Sequence, residues 1–172
     1  MARRVILAGF MGSGKTAVGK ALAAATGMDF VDTDSLAEDR MGISIAQAFA
    51  RRGEPYFRAV EEEVVSEALA REAQGGGAVI SLGGGAVTSE RVSRLLADEP
   101  AVVLLEVDTD TAFERSRGGG RPLARDRAEF GKLHDSRREL YRRVAKLTVD
   151  TEGREVKDIV AEIGTFLERL EG

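Results

Sequence analysis

Val5-Ile6-Leu7-Ala8, then Gly9-Phe10-Met11-Gly12-Ser13-Gly14-Lys15-Thr16, then an alanine-rich segment from Lys15 to Ala25 closing at Gly27, is where the reading of this chain begins. The middle part satisfies G-x-x-x-x-G-K-[ST] at every constrained position, with a short apolar strand before it and an amphipathic helix after it. Glycines let successive backbone N–H groups turn inward around an anion, and the following helix points its positive end at the same place. Lys15 is then placed to reach the β- and γ-phosphates of a nucleoside triphosphate, and Thr16 to ligate Mg²⁺ through its hydroxyl. The pattern defines a phosphate cradle and leaves the reaction open. GTPases need an N-K-x-D to read guanine, and the chain contains no asparagine. At 172 residues it is short for an ATPase motor, and no long apolar strand ends in the Asp-Glu pair that polarises water. Small phosphotransferases remain.

Outward from the cradle, short apolar runs alternate with longer amphipathic segments. The predicted strands are Val5 to Ala8, Phe30-Val31, Ala78 to Leu82, Val102 to Leu105 and Leu147 to Val149. Runs this apolar, with little alternation, suit strands covered on both faces, as in a parallel sheet. Helices are predicted over Lys15 to Ala25, over Ile45 to Arg52 behind a Ser44 cap and before Gly53, and from Pro55 to about Ala73. Thr88 to Ala97, Asp126 to Lys146 and Val156 to Leu170 complete the set. Strand, helix and strand repeated along the chain imply right-handed crossovers and a three-layer α/β domain. No repeat or linker divides it, so residues 1–172 are expected to form one domain.

Hydrophobic residues at 43% and charged residues at 31% fit a chain that buries its own core. Cysteine is absent, which excludes disulfides, thiolate metal sites and cysteine nucleophiles and fits a reducing, cytoplasmic setting. The apolar run after Met1-Ala2-Arg3-Arg4 is broken by Gly9, short of a signal-peptide core, and no run approaches a membrane span. The single histidine, His134, cannot make a histidine metal site alone and reads as a surface or packing residue. The net charge of -4 argues against a nucleic-acid grip. It hides a split: Arg115 to Arg143 carries +6 and the remainder -10.

After the second strand comes Asp32-Thr33-Asp34. If strand geometry continued, both carboxylates would project to one side at the end of the sheet where open α/β folds bind ligands. One could organise a metal while the other orients an acceptor hydroxyl and takes its proton. Asp34 could equally cap a helix beginning at Ser35. Three glycine sites are not ordinary turns: Gly12 and Gly14, Gly83-Gly84-Gly85, and Gly118-Gly119-Gly120.

Together these residues resemble the shikimate kinase family. The resemblance is carried by Gly9 to Thr16, Asp32-Thr33-Asp34, Phe57-Arg58 leading into Glu61-Glu62, Ser81-Leu82-Gly83-Gly84-Gly85-Ala86, Arg121-Pro122-Leu123, and Arg137 ahead of Leu140-Tyr141. It implies a P-loop kinase fold of the nucleoside-monophosphate-kinase type, with a five-stranded parallel sheet in the order 2-3-1-4-5 and a mobile lid over about 115–125. It implies an enzyme that uses ATP and Mg²⁺ to phosphorylate the 3-hydroxyl of shikimate; a monomer with no nucleic-acid or membrane partner is expected. Gly12, Ser13, Gly14, Lys15, Thr16 and Ala17 would bind the nucleotide, with Arg115 near adenine, Arg154 as a further contact and Arg121 swinging onto the transferred phosphoryl group. Thr16 and Asp32 would hold the metal. Asp34 would hold the acceptor hydroxyls and act as base, with Lys15 and Arg121 as the other catalytic residues. Arg58 and Arg137 would hold the acceptor carboxylate beside the backbone of Gly83, Gly84 and Gly85. A planar, permanently charged guanidinium suits a small carboxylate, and two from separate segments fix its orientation. Arg58 also has Glu61 and Glu62 at i+3 and i+4, which fits either a surface ion-pair ladder or a carboxylate that aims the guanidinium. Phe49 and Phe57 fit either pocket walls or core. Arg125, Arg127, Arg138, Arg142 and Arg143 read mostly as a solvated helix face.

Overall fold

A computed structural model describes residues 4–70, 77–117 and 126–172. Strand β1 (Arg4–Ala8) shows how the sequence builds three layers. Successive side chains of a strand point to opposite faces: Val5 and Leu7 enter one core, and Ile6 and Ala8 enter another. The same alternation divides Val79 from Ile80 in β3 (Ala78–Ser81), and Val103 and Leu105 from Val102 and Leu104 in β4 (Val102–Glu106). Each of these side chains is almost fully buried. A sheet apolar on both faces needs cover on both, which is why the runs read as continuous rather than alternating.

Cover on the first face comes from α1 (Lys15–Thr26) and α8 (Val156–Glu171), through Val18 and Leu22 and through Ile159, Ile163 and Leu167. Cover on the second comes from α4 (Glu54–Ala70), α5 (Glu90–Ala97) and α7 (Arg127–Val144), through Val65, Leu69, Leu96, Phe130 and Val144. With β2 (Asp29–Asp32) and β5 (Leu147–Asp150), the strands form one parallel sheet in the order β2-β3-β1-β4-β5. A smaller apolar cluster, centred on Ala37, Phe57 and Val64, ties α2 (Thr33–Met41) and α3 (Ile45–Arg52) to α4.

Most element ends follow the expected caps. Ser44 accepts from Gln47 N–H while the Gln47 side chain accepts from Ser44 N–H, a full capping box for α3. Three features differ from the sequence reading. The segment expected to be helical from Thr88 is a 3₁₀ turn over Ala86–Thr88, then α5 behind a Ser89 cap. Asp126 is the cap of α7 rather than its first residue, and α7 ends at Val144. A helix not foreseen, α6 (Thr109–Ser116), follows β4; its signal was Asp108, whose carboxylate accepts from Thr111 N–H at 2.9 Å. The expected end of α4 near Ala73 lies outside the described residues. Among the described residues, no helix is long and apolar enough to cross a membrane.

Because all strands are parallel, the loops that follow β1, β2, β3 and β4 emerge at one edge. Those loops carry the cradle, the aspartates, Gly83 to Gly85 and the approach to α6. In this strand order the chain leaves β1 and β3 toward opposite faces of the sheet, and such a switch point opens the crevice where α/β folds bind ligands.

Candidate active site

The cradle folds as its glycines require. Gly14 is the N-cap of α1 in the left-handed region, at φ 91°, where glycine carries no steric penalty. No side chain caps this helix and no acidic residue sits in its first turn. Its leading N–H groups are therefore left to the loop cavity, the arrangement that favours an anion. Lys15 Nζ lies back over the loop, donating to the carbonyls of Gly9 at 2.6 Å and Phe10 at 3.1 Å. A cavity of about 290 Å³ opens above it, lined on the loop side by Gly12, Gly14, Lys15, Thr16 and Ala17. Asp32, Asp34, Ser81, Gly84 and Arg115 close the other side. Ser13 is buried beneath the loop rather than facing the cavity.

The two aspartates reach that cavity by a different route from the one expected. Strand β2 stops at Asp32, whose Oδ1 accepts from the backbone N–H of Asp34 at 2.9 Å and of Ser35 at 3.3 Å. Asp32, not Asp34, is thus the cap of α2, and Asp34 sits in the helix's first turn. Both capping bonds use Oδ1, so the cap leaves the second Asp32 oxygen for other work. Thr33 between them is buried, and its Oγ1 accepts from Gly83 N–H at 3.0 Å, which locks the aspartate segment to the end of β3. A side chain at Gly83 would collide with Asp34 and would approach Glu61 Oε2 to 2.6 Å. Glycine is needed here for close approach, not for backbone conformation.

Among the described residues no cluster of three or more histidine, aspartate or glutamate side chains could enclose a metal. Magnesium in phosphoryl-transfer sites does not need one: it is held by one or two protein oxygens, with the rest of its shell from phosphate and water. Thr16 and Asp32 on one small cavity fit that donor set.

The acceptor side is made of long side chains from separate helices. Arg58 on α4 is gripped by Glu61 at 2.7 Å and by Glu54 at 3.2 Å, and its guanidinium lies against the backbone of Gly85. Of the two neighbours foreseen, Glu61 makes the pair, while Glu62 turns away to Ser89 and Arg91. Burial lowers the Arg58 pKa, but the two carboxylates outweigh it and the net shift is upward. Glu61 is only 4% exposed, and its pKa is raised, foremost by burial, against the lowering effect of Arg58.

Arg137 on α7 has no such partner. It is 5% exposed, its Nε is buried without a hydrogen bond, and no carboxylate lies within ion-pair distance among the described residues. Burial is the main cause lowering its pKa, and repulsion from Arg58 adds to it. A guanidinium in this condition lacks one negative group. Arg58 and Arg137 share a cavity of about 420 Å³ with Glu54, Thr88, Leu133 and Leu140 along its wall. Gly84 joins the two cavities: it lines the phosphate side, lies next to an Arg137 terminal nitrogen, and its carbonyl accepts from Tyr141 Oη. Burial, against the lowering effect of Arg137, pushes the Tyr141 phenol up to about 12, so it stays a donor.

The remaining expected residues divide. Phe57 is buried and packs against Phe49 at 5.2 Å, and both rings lie near Arg58, so they are core and arginine support together. Arg115 sits in the last turn of α6 and donates to the Gly12 carbonyl at 3.3 Å. Arg154 is not brought to the cavity; it donates to the carbonyls of Asp150 and Asp158 and pairs with Glu162 at 2.7 Å. Arg121, Arg125 and Gly118-Gly119-Gly120 lie outside the described residues. Arg127, Arg138 and Arg142 pair at the surface with Asp110, Asp135 and Glu106. Thr33 and Tyr141 carry no site role in the sequence reading, although both stand within the motifs Asp32-Thr33-Asp34 and Leu140-Tyr141.

A phosphate cradle at a parallel-sheet switch point, facing carboxylates and two inward arginines, defines a P-loop kinase of small molecules. The family model for shikimate kinase matches residues 11–168. A shikimate kinase from Moorella thermoacetica is 42% identical over 166 residues, covering 95% of this chain and 93% of that protein. One from Mycobacterium tuberculosis is 45% identical over 167 residues, covering 95% and 92%. The solved structure of a shikimate kinase from Acinetobacter baumannii in complex with shikimate superposes with a TM-score of 0.91 at 31% identity, covering 98% of this chain and 94% of that one. The chain belongs to the shikimate kinase family.

Proposed function

We propose that the chain transfers the γ-phosphoryl group of ATP to the 3-hydroxyl of shikimate, yielding ADP and shikimate 3-phosphate on the route to chorismate and the aromatic amino acids. The observation that carries this reading is the pair of inward arginines on one cavity, one of them without an ion pair among the described residues, next to a carboxylate that borders the phosphate cradle. A compact polyhydroxy acid satisfies both features: its carboxylate meets Arg58 and Arg137, and its hydroxyls meet Asp34.

In the step proposed, the acceptor oxygen forms a bond to the γ-phosphorus as the bond to the β,γ-bridging oxygen breaks, and the hydroxyl proton passes to Asp34. Phosphoryl transfer asks mainly for positioning and charge neutralisation. The leading N–H groups of α1, with Gly12 to Ala17, hold the phosphates, and Lys15 leaves the loop carbonyls to meet the β- and γ-oxygens. Thr16 and Asp32 would hold Mg²⁺, which offsets charge on the phosphates. Gly83 to Gly85 present backbone to the acceptor. Arg121 closes from a lid over about 115–125, and Arg115 meets the nucleotide base. Residues 1–172 act as one domain, a cytoplasmic monomer.

The test is a coupled ADP-release assay with shikimate, gluconate and nucleoside monophosphates as acceptors. Shikimate-dependent turnover well above the other acceptors is expected. ATP binding without any shikimate-dependent turnover would overturn the reading.

A further inference from the structure

The cradle and the arginine clamp are joined by a stack of rings that the phosphate-binding motif does not require. Phe10, the second residue of the loop, is 2% exposed, and its carbonyl accepts from Lys15 Nζ and from Ser13 N–H. Its ring lies parallel to the His134 imidazole, with centroids 4.7 Å and planes 5° apart. Phe130 meets it edge-on at 5.0 Å, and the Arg137 guanidinium carbon is 5.7 Å from its centroid. His134 precedes Arg137 by three residues on α7, so the two lie along one helix face. His134 is held in turn by a 2.8 Å hydrogen bond between Nδ1 and Thr109 Oγ1 on α6. Burial foremost, then the nearby Arg138, lowers its pKa, which keeps a second cation away from Arg137 at neutral pH.

Among the described residues Arg137 makes no ion pair that would aim it, and Glu61 acts on it only at longer range, unlike Arg58 with Glu54 and Glu61. Its fixed neighbours are Tyr141 and the Phe10 ring. A cation near an aromatic ring is drawn to the ring's negative face, and the attraction grows when water is excluded. We infer that Phe10 and His134 are positioning residues for the reaction: the His134 ring holds the Phe10 ring, and the Phe10 ring sets the pose of the guanidinium that receives the acceptor carboxylate. Since the backbone of Phe10 belongs to the phosphate loop, the stack also registers the acceptor against the donor. The inference rests on the proposed role of Arg137.

Steady-state kinetics with ATP and shikimate on the full chain test it, comparing wild type, His134→Ala, His134→Phe, Arg137→Ala and the double variant His134→Ala/Arg137→Ala. His134→Ala should raise the KM for shikimate about fivefold, with the KM for ATP held within about twofold. His134→Phe keeps a flat ring against Phe10 and should return most of that loss, which a merely space-filling role for the imidazole edge would not require. In the Arg137→Ala background, His134→Ala should add nothing further to the shikimate KM, because the residue it acts through is gone. An unchanged shikimate KM in His134→Ala, equal rises for both substrates, no rescue by phenylalanine, or additive losses in the double variant would each overturn the inference. Should His134→Ala not fold, Phe10→Leu, which keeps apolar volume without the ring face, is read by the same KM comparison and the same double variant with Arg137→Ala. Arg137→Ala with an unchanged shikimate KM would remove the carboxylate reading and the inference together. Arg137→Ala with a raised KM beside an inert His134→Ala would remove the inference alone.

Discussion

The donor side of the site is one continuous piece of chain, Gly9 to Ala17, whereas the acceptor side takes Asp34 from α2, Arg58 and Glu61 from α4, Gly83 to Gly85 from the loop after β3, and Arg137 and Tyr141 from α7. The first acts through backbone N–H groups and a helix end, so its geometry is set once the turn forms. The second acts through side chains that meet only when helices from distant parts of the chain have packed. The electrostatic strain follows the same division. Raised Glu61, raised Tyr141 and lowered Arg137 all cluster on the acceptor side, each with burial as its first cause. Clusters of perturbed groups in a cleft mark places where charge is awaited.

The difference can be broken most sharply at Asp34, where the two sides meet. Asp34→Asn keeps the size of the side chain and removes the proton acceptor. It should lower kcat by on the order of 10²-fold or more while ATP affinity, measured by calorimetry, stays close to wild type. A near-normal kcat would take the base role from Asp34, and a parallel loss of ATP binding would show that the two sides are not separable there.

Next in size are the arginines, and here the acceptor side divides within itself. Either change to alanine should raise the shikimate KM by about tenfold or more while the ATP KM moves little, since each removes a charged hydrogen-bond donor. Their effects on stability should differ. Arg58→Ala leaves the buried Glu61 carboxylate without its 2.7 Å partner, and stranding such a group costs about 2 kcal/mol. Arg137→Ala removes a buried cation that makes no ion pair among the described residues, so the loss of packing is offset by relief of its desolvation. Thermal melts should therefore place Arg58→Ala clearly below Arg137→Ala. The reverse order would mean that Arg137, not Arg58, is the better satisfied in the folded chain.

What the sequence allowed to be read follows the same line. The cradle, the five strands and their order could be stated in advance because they depend on local spacing, on uninterrupted apolar runs and on a resemblance carried by contiguous motifs. The end of β2 and the start of α5 could not. Asp32 and Asp34 are two carboxylates separated by one residue, and either can cap; the chain turns into α2 two residues early because Asp32 Oδ1 takes two N–H groups at once. Glu61 and Glu62 both stand one helical turn from Arg58, and tertiary packing alone decides that Glu61 faces inward while Glu62 reaches Ser89. His134 carried no motif at all. Its place beside Phe10 brings together positions 124 apart in the chain, and that separation leaves no trace in local composition.

The smallest expected effect concerns that histidine and the pH dependence of stability. His134 titrates near 6.5 in an unfolded chain, and in the folded protein burial first, then Arg138, pushes it lower, against Asp135, Glu106 and Asp108. Between those two values the unfolded chain binds more protons than the folded one, so stability falls as pH drops through that window and levels off below the folded pKa. Glu61 works in the opposite direction: its raised folded pKa means the folded chain takes up the proton first, so acidification toward its ordinary range favours the fold. The two can be separated by subtraction. The difference in melting temperature between wild type and His134→Phe, followed from about pH 7.5 down to about pH 5.5, contains the histidine alone, because Glu61 is common to both. Wild type should lose ground against His134→Phe as the pH falls. A constant difference across that range would mean that the imidazole takes up its proton as easily inside the stack as in water, and the donor and acceptor sides would then be joined by a ring whose charge the fold does not control.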